Sequence, residues 1–165
     1  MTEDEMIREW FHSADGIHGV GHTRRVIVHA DALACEVGLC ALEASAVHKA
    51  ALWHDIGRSH NGVDWTHGMA SVTKVMELGL HDGVPPTVVD LAFFAMEHHS
   101  MWDRVGDGRA AVRSDAAAAQ RVLWVLKDAD GLDRVRLGDL DPGQLRLTCS
   151  RARVELAEEL LHRMR

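Results

Sequence analysis

The chain has 165 residues, of which 47% are hydrophobic and 26% are charged, and its 18 basic and 25 acidic residues give a formal net charge of -7. This composition predicts a single globular domain over residues 1–165 and excludes a disordered chain. The acidic balance also argues against a dedicated nucleic-acid surface, because neutralising phosphates requires clustered Lys and Arg.

The chain shows no signal for secretion or for membrane insertion. Its first residues are acidic, without the apolar run of a signal peptide, and no segment has the length of a transmembrane helix. The three cysteines, Cys35, Cys40 and Cys149, are odd in number and lack a CxxC spacing. We therefore expect a cytoplasmic protein without disulfides or a cysteine zinc site.

Apolar residues recur at helical spacing along the first half of the chain, and strand-like alternation is scarce. Residues 3–13 form a short amphipathic candidate helix. Three further stripes each stop at a glycine, which suits the residue after a helix. These stripes are Ile27, Ala30, Ala34 and Val37 before Gly38; Val47, Ala51 and His54 before Gly57; and Trp65, Met69, Val72 and Met76 before Gly79.

Three more helices are predicted in the second half. Pro85 and Pro86 suit the first turn of one helix, and Ser114 and Ser150 suit the N-caps of the other two. The apolar stripes are Val88, Leu91 or Ala92, and Ala95, followed by His98 and His99; Val122, Leu126 and Asp130; and Val154, Leu156 and Leu160.

Two less regular stretches, 103–113 and 138–148, are predicted loops, and the first is long enough to act as a lid. The five tryptophans fall mostly within helical patterns and are expected to pack in the core. Trp102, which lies close to His99, is left open as a wall of a pocket. The chain is therefore predicted to be all-α, a helical bundle of about six or seven helices.

Ionisable residues continue several of the apolar stripes. His54, His98, His99 and Asp130 each extend a face that is otherwise apolar. Burying an ionisable group costs free energy unless the group is paired or bound to a cation. Several helices that each bring an imidazole or a carboxylate to the core side therefore indicate a shared metal ion, as helical bundles build them.

His54 and Asp55 are neighbours in sequence and diverge by about 100° on a helix. They can hold one ion only at a helix end or with the carboxylate reaching across. Because a carboxylate can also bridge two ions through its two oxygens, Asp55 has a natural place between two metals.

In order, His22, His54-Asp55 and Asp130 resemble the ligands of the HD-domain metal-dependent phosphohydrolases. The sequences that carry the resemblance are HGVGHTRRV from residue 18, ALWHDIGR from residue 51 and LKDADGLDRV from residue 126. Each short motif alone is weak evidence, but the ordered set of motifs, which spans residues 18–135, is specific. The resemblance implies an all-α HD domain in which these four residues surround one ion.

Further histidines resemble those of binuclear members, including the HD-GYP phosphodiesterases. His67, His98 and His99 occupy matching places, which implies a second ion held by these three residues and bridged by Asp55. The Gly-Tyr-Pro motif is absent, and Arg58 occupies the position where those enzymes have a lysine. Specificity for cyclic dinucleotides is therefore not implied.

The expected activity is hydrolysis of a small-molecule phosphate ester or nucleotide by metal-activated water. Imidazoles and carboxylates suit one or two divalent ions of Mn, Fe, Co, Ni or Zn. Asp55 and Arg58 are the expected catalytic residues, with Arg58 gripping a phosphate oxygen and His18 lining the pocket or donating to the substrate. Two divalent ions would reverse the local sign of this acidic chain.

Two other functions remain open at this point. Some HD-domain proteins are mixed-valent di-iron oxygenases, and their ligands, with two extra histidines, resemble those found here. The third candidate function is a non-catalytic sensor that keeps the metals, and the absence of an attached effector domain counts against it. The oligomeric state is left open.

Overall fold

The structure, a computed structural model, describes residues 7–164. Of the predicted helix at 3–13, residues 3–6 lie outside the described residues, and residues 7–9 are helical. The elements that follow are α1 Val20–Glu36, α2 Ala41–Trp53, α3 His67–Glu77, α4 Pro86–His98, α5 Asp103–Ala111, α6 Ala116–Leu132, 3-10 helices at Asp133–Leu137 and Pro142–Gln144, α7 Thr148–Arg151 and α8 Val154–Arg163. The predicted all-α class is thus confirmed, and within 7–164 no helix has the length and apolarity to cross a bilayer.

Four helices, α1, α2, α4 and α6, pack on one another and enclose the core. α2 and α6 each contact the other three of these helices. α3 packs on α4, α5 packs on α6, and α8 covers the 3-10 helix Asp133–Leu137. The largest fully buried apolar side chains are Trp53, Leu33, Ile56, Met96, Leu123, Leu126 and Leu132.

The prediction of a loop over 103–113 was wrong, because residues Asp103–Ala111 form α5. Its glycine-rich sequence has low helix propensity, but packing on α6 overrides that preference. Gly106 is buried and lies so close to α6 that an added Cβ would stand 2.8 Å from Leu123. Trp124 of α6 donates a hydrogen bond to Asp107, at 2.8 Å.

Three other expectations were wrong in detail. α6 begins at Ala116 with Asp115, not Ser114, at its N-cap position. The last long helix begins at Val154 after Arg153, because Ser150 belongs to the separate turn of helix α7. In α3, Met69 and Met76 are about half exposed, at 47% and 49%. The buried face consists instead of His67, Gly68, Ser71, Val72 and Val75, because small residues allow α3 to approach its neighbours closely.

Two glycines bring α3 against the rest of the bundle. A Cβ on Gly68 would lie 2.0 Å from the carbonyl oxygen of Met96 in α4. A Cβ on Gly57, in the turn after α2, would lie 2.2 Å from the backbone nitrogen of Ser71. The Ser71 hydroxyl donates to the His54 carbonyl at 2.6 Å and accepts from the Gly57 N–H at 2.9 Å. The backbones around His54, His67 and His99 are thereby held together.

Gly68→Ala is expected to destabilise the fold by at least about 2 kcal/mol, because its methyl group would collide with backbone rather than with a flexible side chain. The matched control is Gly108→Ala in α5, where an added Cβ meets nothing within 4 Å. That variant should be unchanged or more stable by roughly 0.5–1 kcal/mol, as alanine favours a helix interior. Urea unfolding of both variants measures the difference, and equal stabilities would contradict the close contact.

Candidate metal centre and cleft

Six of the residues predicted as metal ligands come from five separate parts of the chain to one buried place. They lie at or near helix ends: His22 in the first turn of α1, His54 and Asp55 in the turn after α2, His67 at the start of α3, His99 directly after α4, and Asp130 near the end of α6. Because a turn frees the chain from the 100° step of a helix, the neighbours His54 and Asp55 both face the centre.

The first group of donor atoms comprises the Nε2 atoms of His22 and His54 with one oxygen each of Asp55 and Asp130. His22 Nε2 lies 3.1 Å from His54 Nε2, 3.4 Å from Asp55 Oδ2 and 3.3 Å from Asp130 Oδ1. An ion about 2.1 Å from each donor, at tetrahedral or octahedral angles, needs donors about 3.0–3.4 Å apart. The spacing therefore fits one divalent cation.

A second group lies on the other side of Asp55. His67 Nε2 is 2.8 Å from His99 Nε2 and 3.1 Å from Asp55 Oδ1. The two oxygens of Asp55 therefore face different histidines: Oδ2 faces His22 and His54, and Oδ1 faces His67. This arrangement is the one that a carboxylate bridging two cations requires.

The four histidines share one feature, which is that the Nδ1 of each already has an acceptor. His54, His67 and His99 donate from Nδ1 to the carbonyl oxygens of Ala51, Asp64 and Met96, at 2.8, 2.5 and 2.6 Å. His22 donates from Nδ1 to Asp133 Oδ2 at 2.7 Å. With the ring proton on Nδ1, the neutral imidazole presents a lone pair on Nε2. Two such lone pairs that face each other need a cation between them. This tautomer and this ring orientation are those of metal-ligating histidines.

The charges around this cluster also favour a cation. Burial disfavours the imidazolium of His22, but the carboxylates of Asp130, Asp133 and Asp55 outweigh it and raise its pKa to about 10. Burial is likewise outweighed at Asp55, where the surrounding histidines hold the pKa well below its usual value. By contrast, burial and the neighbouring histidines lower the pKa of His99 to about 3. The centre therefore combines ionised carboxylates with a neutral imidazole at His99, and at His22 these carboxylates favour a positive charge.

The structure does not bring His98 to this cluster. Its Nδ1 donates to the Phe94 carbonyl at 2.8 Å, its ring packs on that phenyl ring at 4.5 Å, and its Cβ faces Gly106 of α5. Because adjacent residues at a helix end diverge in direction, His98 and His99 point to different neighbours. The second group of donors thus contains His67 and His99 without His98.

His18 and Arg58 both contact Asp55 from the cleft side. His18 Nδ1 donates to Asp55 Oδ2 at 2.9 Å, and Arg58 Nε donates to Asp55 Oδ1 at 2.8 Å. The rest of the Arg58 guanidinium reaches the Gly62 carbonyl at 3.2 Å and His67 Nε2 at 3.4 Å. Each of its nitrogens is therefore engaged, and Arg58 has to release some of these contacts before it can grip a phosphate.

The sequence alone did not identify a role for Asp133. This carboxylate is fully buried, accepts from His22 Nδ1 and forms a two-pronged ion pair with Arg25, at 2.6 and 3.1 Å. Arg136 approaches it at 3.4 Å. Asp133 therefore sets the tautomer of His22. The available signal was its spacing of three residues from Asp130, which places it close to the same ligand.

The cluster opens into a cleft of about 940 Å³. His18, Arg58, His67, His99 and Asp130 line its inner part. The rest of the wall comes from residues 61–65, residues 100–104, the end of α6 and the predicted loop 138–148. Asp128 holds that loop by accepting the backbone N–H groups of Arg146 and Leu147, at 2.8–3.0 Å.

Comparison with known proteins agrees with the fold. The HD domain family model matches residues 19–135. The chain therefore belongs to the HD-domain family, and its class is that of the metal-dependent hydrolase superfamily. Among solved structures it is similar to the crystal structure of a predicted HD superfamily hydrolase from an uncultured Thermotogales bacterium, at 23% identity and a TM-score of 0.63, over 97% of this chain and 85% of that one. No curated protein matches.

Asp133→Asn is expected to lower metal affinity about 10- to 100-fold, because the amide holds His22 less firmly in the ligating tautomer. Titration calorimetry with Mn²⁺ measures the loss. Asp128→Asn is the control, since Asp128 is also fully buried and paired with an arginine but touches no donor histidine. Equal losses in both variants would show that general destabilisation, rather than the orientation of His22, causes the effect.

Proposed function

We propose that the protein is a metal-dependent phosphohydrolase that cleaves a small-molecule phosphate ester. The observation that carries this proposal is the convergence of imidazole Nε2 atoms on the two oxygens of Asp55, with donor spacings of 2.8–3.5 Å. Such a centre suits divalent Mn, Fe, Co, Ni or Zn. Membership of the HD-domain family supports hydrolysis as the class of reaction.

In this proposal His22, His54, Asp55 and Asp130 hold one ion, and Asp55 shares a second ion with His67 and His99. The first set has four protein donors, whereas the second has three and leaves more positions to water or substrate. His98 is not a ligand in this proposal, because its contacts lie with Phe94 and α5.

A bound ion would lower the pKa of water and supply hydroxide near neutral pH. The protein's own groups would act on the phosphate ester. His18 has Nδ1 on Asp55, which leaves Nε2 to bind substrate, as an acceptor when the ring is neutral and as a proton donor when the ring is protonated. Arg58, once released from Asp55, would offer a planar fork for two phosphate oxygens. These roles make His18 a substrate-binding residue and Arg58 both a binding and a catalytic residue.

Beyond Arg58, most of the basic side chains that line the cleft are paired with carboxylates, so they contribute little uncompensated positive charge. Lys127 and Arg146 line it, but both contact Asp103 at 2.6 Å, and Arg146 also pairs with Asp128. Arg134 pairs with Asp139. Attraction of an anionic substrate would therefore depend mainly on the ions in the centre, which reverse the sign of its carboxylates.

His99→Ala is expected to reduce the bound metal to about one ion per chain, because it removes one of three protein donors to the second ion. The adjacent His98→Ala is the control and should leave metal content unchanged, since His98 lies outside the cluster. Elemental analysis of both purified variants measures the ratio of metal to protein. A loss in His98→Ala but not in His99→Ala would reverse the assignment.

The activity itself is tested by elemental analysis of the purified protein and by a phosphatase and phosphodiesterase screen with Mn, Ni, Co, Fe and Mg. We expect release of phosphate or cleavage of a diester. Asp55→Asn should abolish at least about 99% of this activity, because Asp55 contributes to both groups of donors. Glu43→Gln, a change at a buried carboxylate of α2 remote from the cluster, should retain it.

Well-metallated protein that cleaves no phosphate ester would contradict the hydrolase proposal. Oxygen consumption by iron-loaded protein, with an EPR signal from a half-reduced pair, would instead identify an oxygenase. Ligand-induced stabilisation without any product would identify a sensor.

A further inference from the structure

Two tryptophans at the cleft are exposed: Trp65, which the sequence predicts in the core, and Trp102, which the sequence leaves open as a wall of a pocket. The side chains of Trp65 and Trp102 are 55% and 74% exposed. Their rings stack on each other with centroids 5.9 Å apart and an angle of 19° between the planes. Large exposed aromatic surfaces are costly to leave in water and commonly mark binding sites.

The two indoles are attached to rigid backbone beside the candidate metal centre. Trp65 lies two residues before His67, and Trp102 lies three residues after His99, so their Cα atoms are within about 7 and 11 Å of those histidines' Cα atoms. The Ser100 hydroxyl donates to the Trp65 carbonyl at 3.1 Å. The Trp102 carbonyl accepts the N–H groups of Val105 and Gly106 in the first turn of α5, at 2.9 and 3.2 Å. The stacked pair therefore has a fixed place relative to the donor histidines.

The stacked tryptophans and the candidate metal centre lie in the same cleft. Trp65 and Trp102 line it together with His67, His99 and Asp130. Apolar side chains from other parts of the chain, Ile17, Leu137 and Leu140, also line it. A ligand in this cleft can therefore present an anionic group to the centre and a flat apolar group to the indoles. An oligonucleotide is disfavoured, because the chain has a net charge of -7.

We propose that the stacked pair Trp65–Trp102 binds the flat aromatic part of the substrate, a nucleobase or an aryl group, while its phosphate reaches the histidine–aspartate cluster. This inference rests on the proposed phosphohydrolase function and names the substrate class. Stacking on an indole is tolerant of the ring's identity, since every aromatic ring presents a π-face. The pair thus selects aromatic over aliphatic phosphate esters without selecting one base.

The kinetic test compares adenosine 5′-monophosphate and 4-nitrophenyl phosphate with glycerol 1-phosphate. In Trp102→Leu we expect the ratio of kcat/KM for each aromatic ester to that for glycerol 1-phosphate to fall about tenfold, mainly through KM. Trp102→Phe keeps a ring and should restore most of the ratio. Met76→Ala, which truncates a half-exposed apolar side chain of α3 outside the cleft, should leave the ratio unchanged.

A binding measurement tests the same inference without turnover. Titration calorimetry of adenosine 5′-monophosphate and ribose 5-phosphate into the protein, with the metal it carries, gives the contribution of the base. Wild-type protein should bind the nucleotide at least about tenfold more tightly, and Trp102→Leu should lose this preference. If the wild type cleaves no ester, the proposed function fails while this measurement still decides whether the pair binds an aromatic ring.

An unchanged preference in Trp102→Leu and Trp65→Leu would overturn the inference. The inference would also be overturned if either variant converted an oligomer into monomers and kept the preference for aromatic esters. The pair would then be a contact between copies of the chain. Light scattering of the same variants measures this second outcome.

Discussion

The arrangement of this protein depends on one electrostatic constraint, the confinement of imidazole lone pairs and ionised carboxylates in a buried space. His22, His54, His67 and His99 direct Nε2 inward because Nδ1 of each is engaged by an oxygen atom. Asp55 lies between the two pairs of rings. Like dipoles and charges at such distances repel, so the cluster is stable only with positive charge among its donors. A divalent ion supplies that charge more completely than a proton on His22.

Much of the surrounding structure serves to keep these donors in place. Gly57 and Gly68 permit backbone contacts that a side chain would prevent, and Ser71 connects α3 to the turn that carries His54 and Asp55. Arg25 and Arg136 compensate the negative charge of Asp133, and the Asp133 carboxylate holds the His22 ring in its orientation. Orientation is therefore determined by residues that do not themselves face the centre, as is usual for metal ligands.

The cleft divides into parts with different physical properties. Its inner part is the charged cluster, bordered by His18 and Arg58, which both contact Asp55. The stacked indoles of Trp65 and Trp102 provide a flat apolar surface elsewhere in the same cleft. Lys127, Arg146 and Asp103 form an internally compensated ion network. Such a cleft suits a ligand that is anionic at one end and apolar at the other.

Sequence alone determined the helical class, most helix positions and the ordered residues His22, His54, Asp55 and Asp130, because apolar periodicity and residue order are local properties of the chain. It could not distinguish His98 from His99, since two adjacent residues at a helix end differ only in direction. Asp133, the helix at Asp103–Ala111 and the exposed Trp65–Trp102 pair likewise followed from the tertiary structure. Each depends on contacts between segments distant in sequence, where packing overrides local propensity and decides which polar group finds a partner.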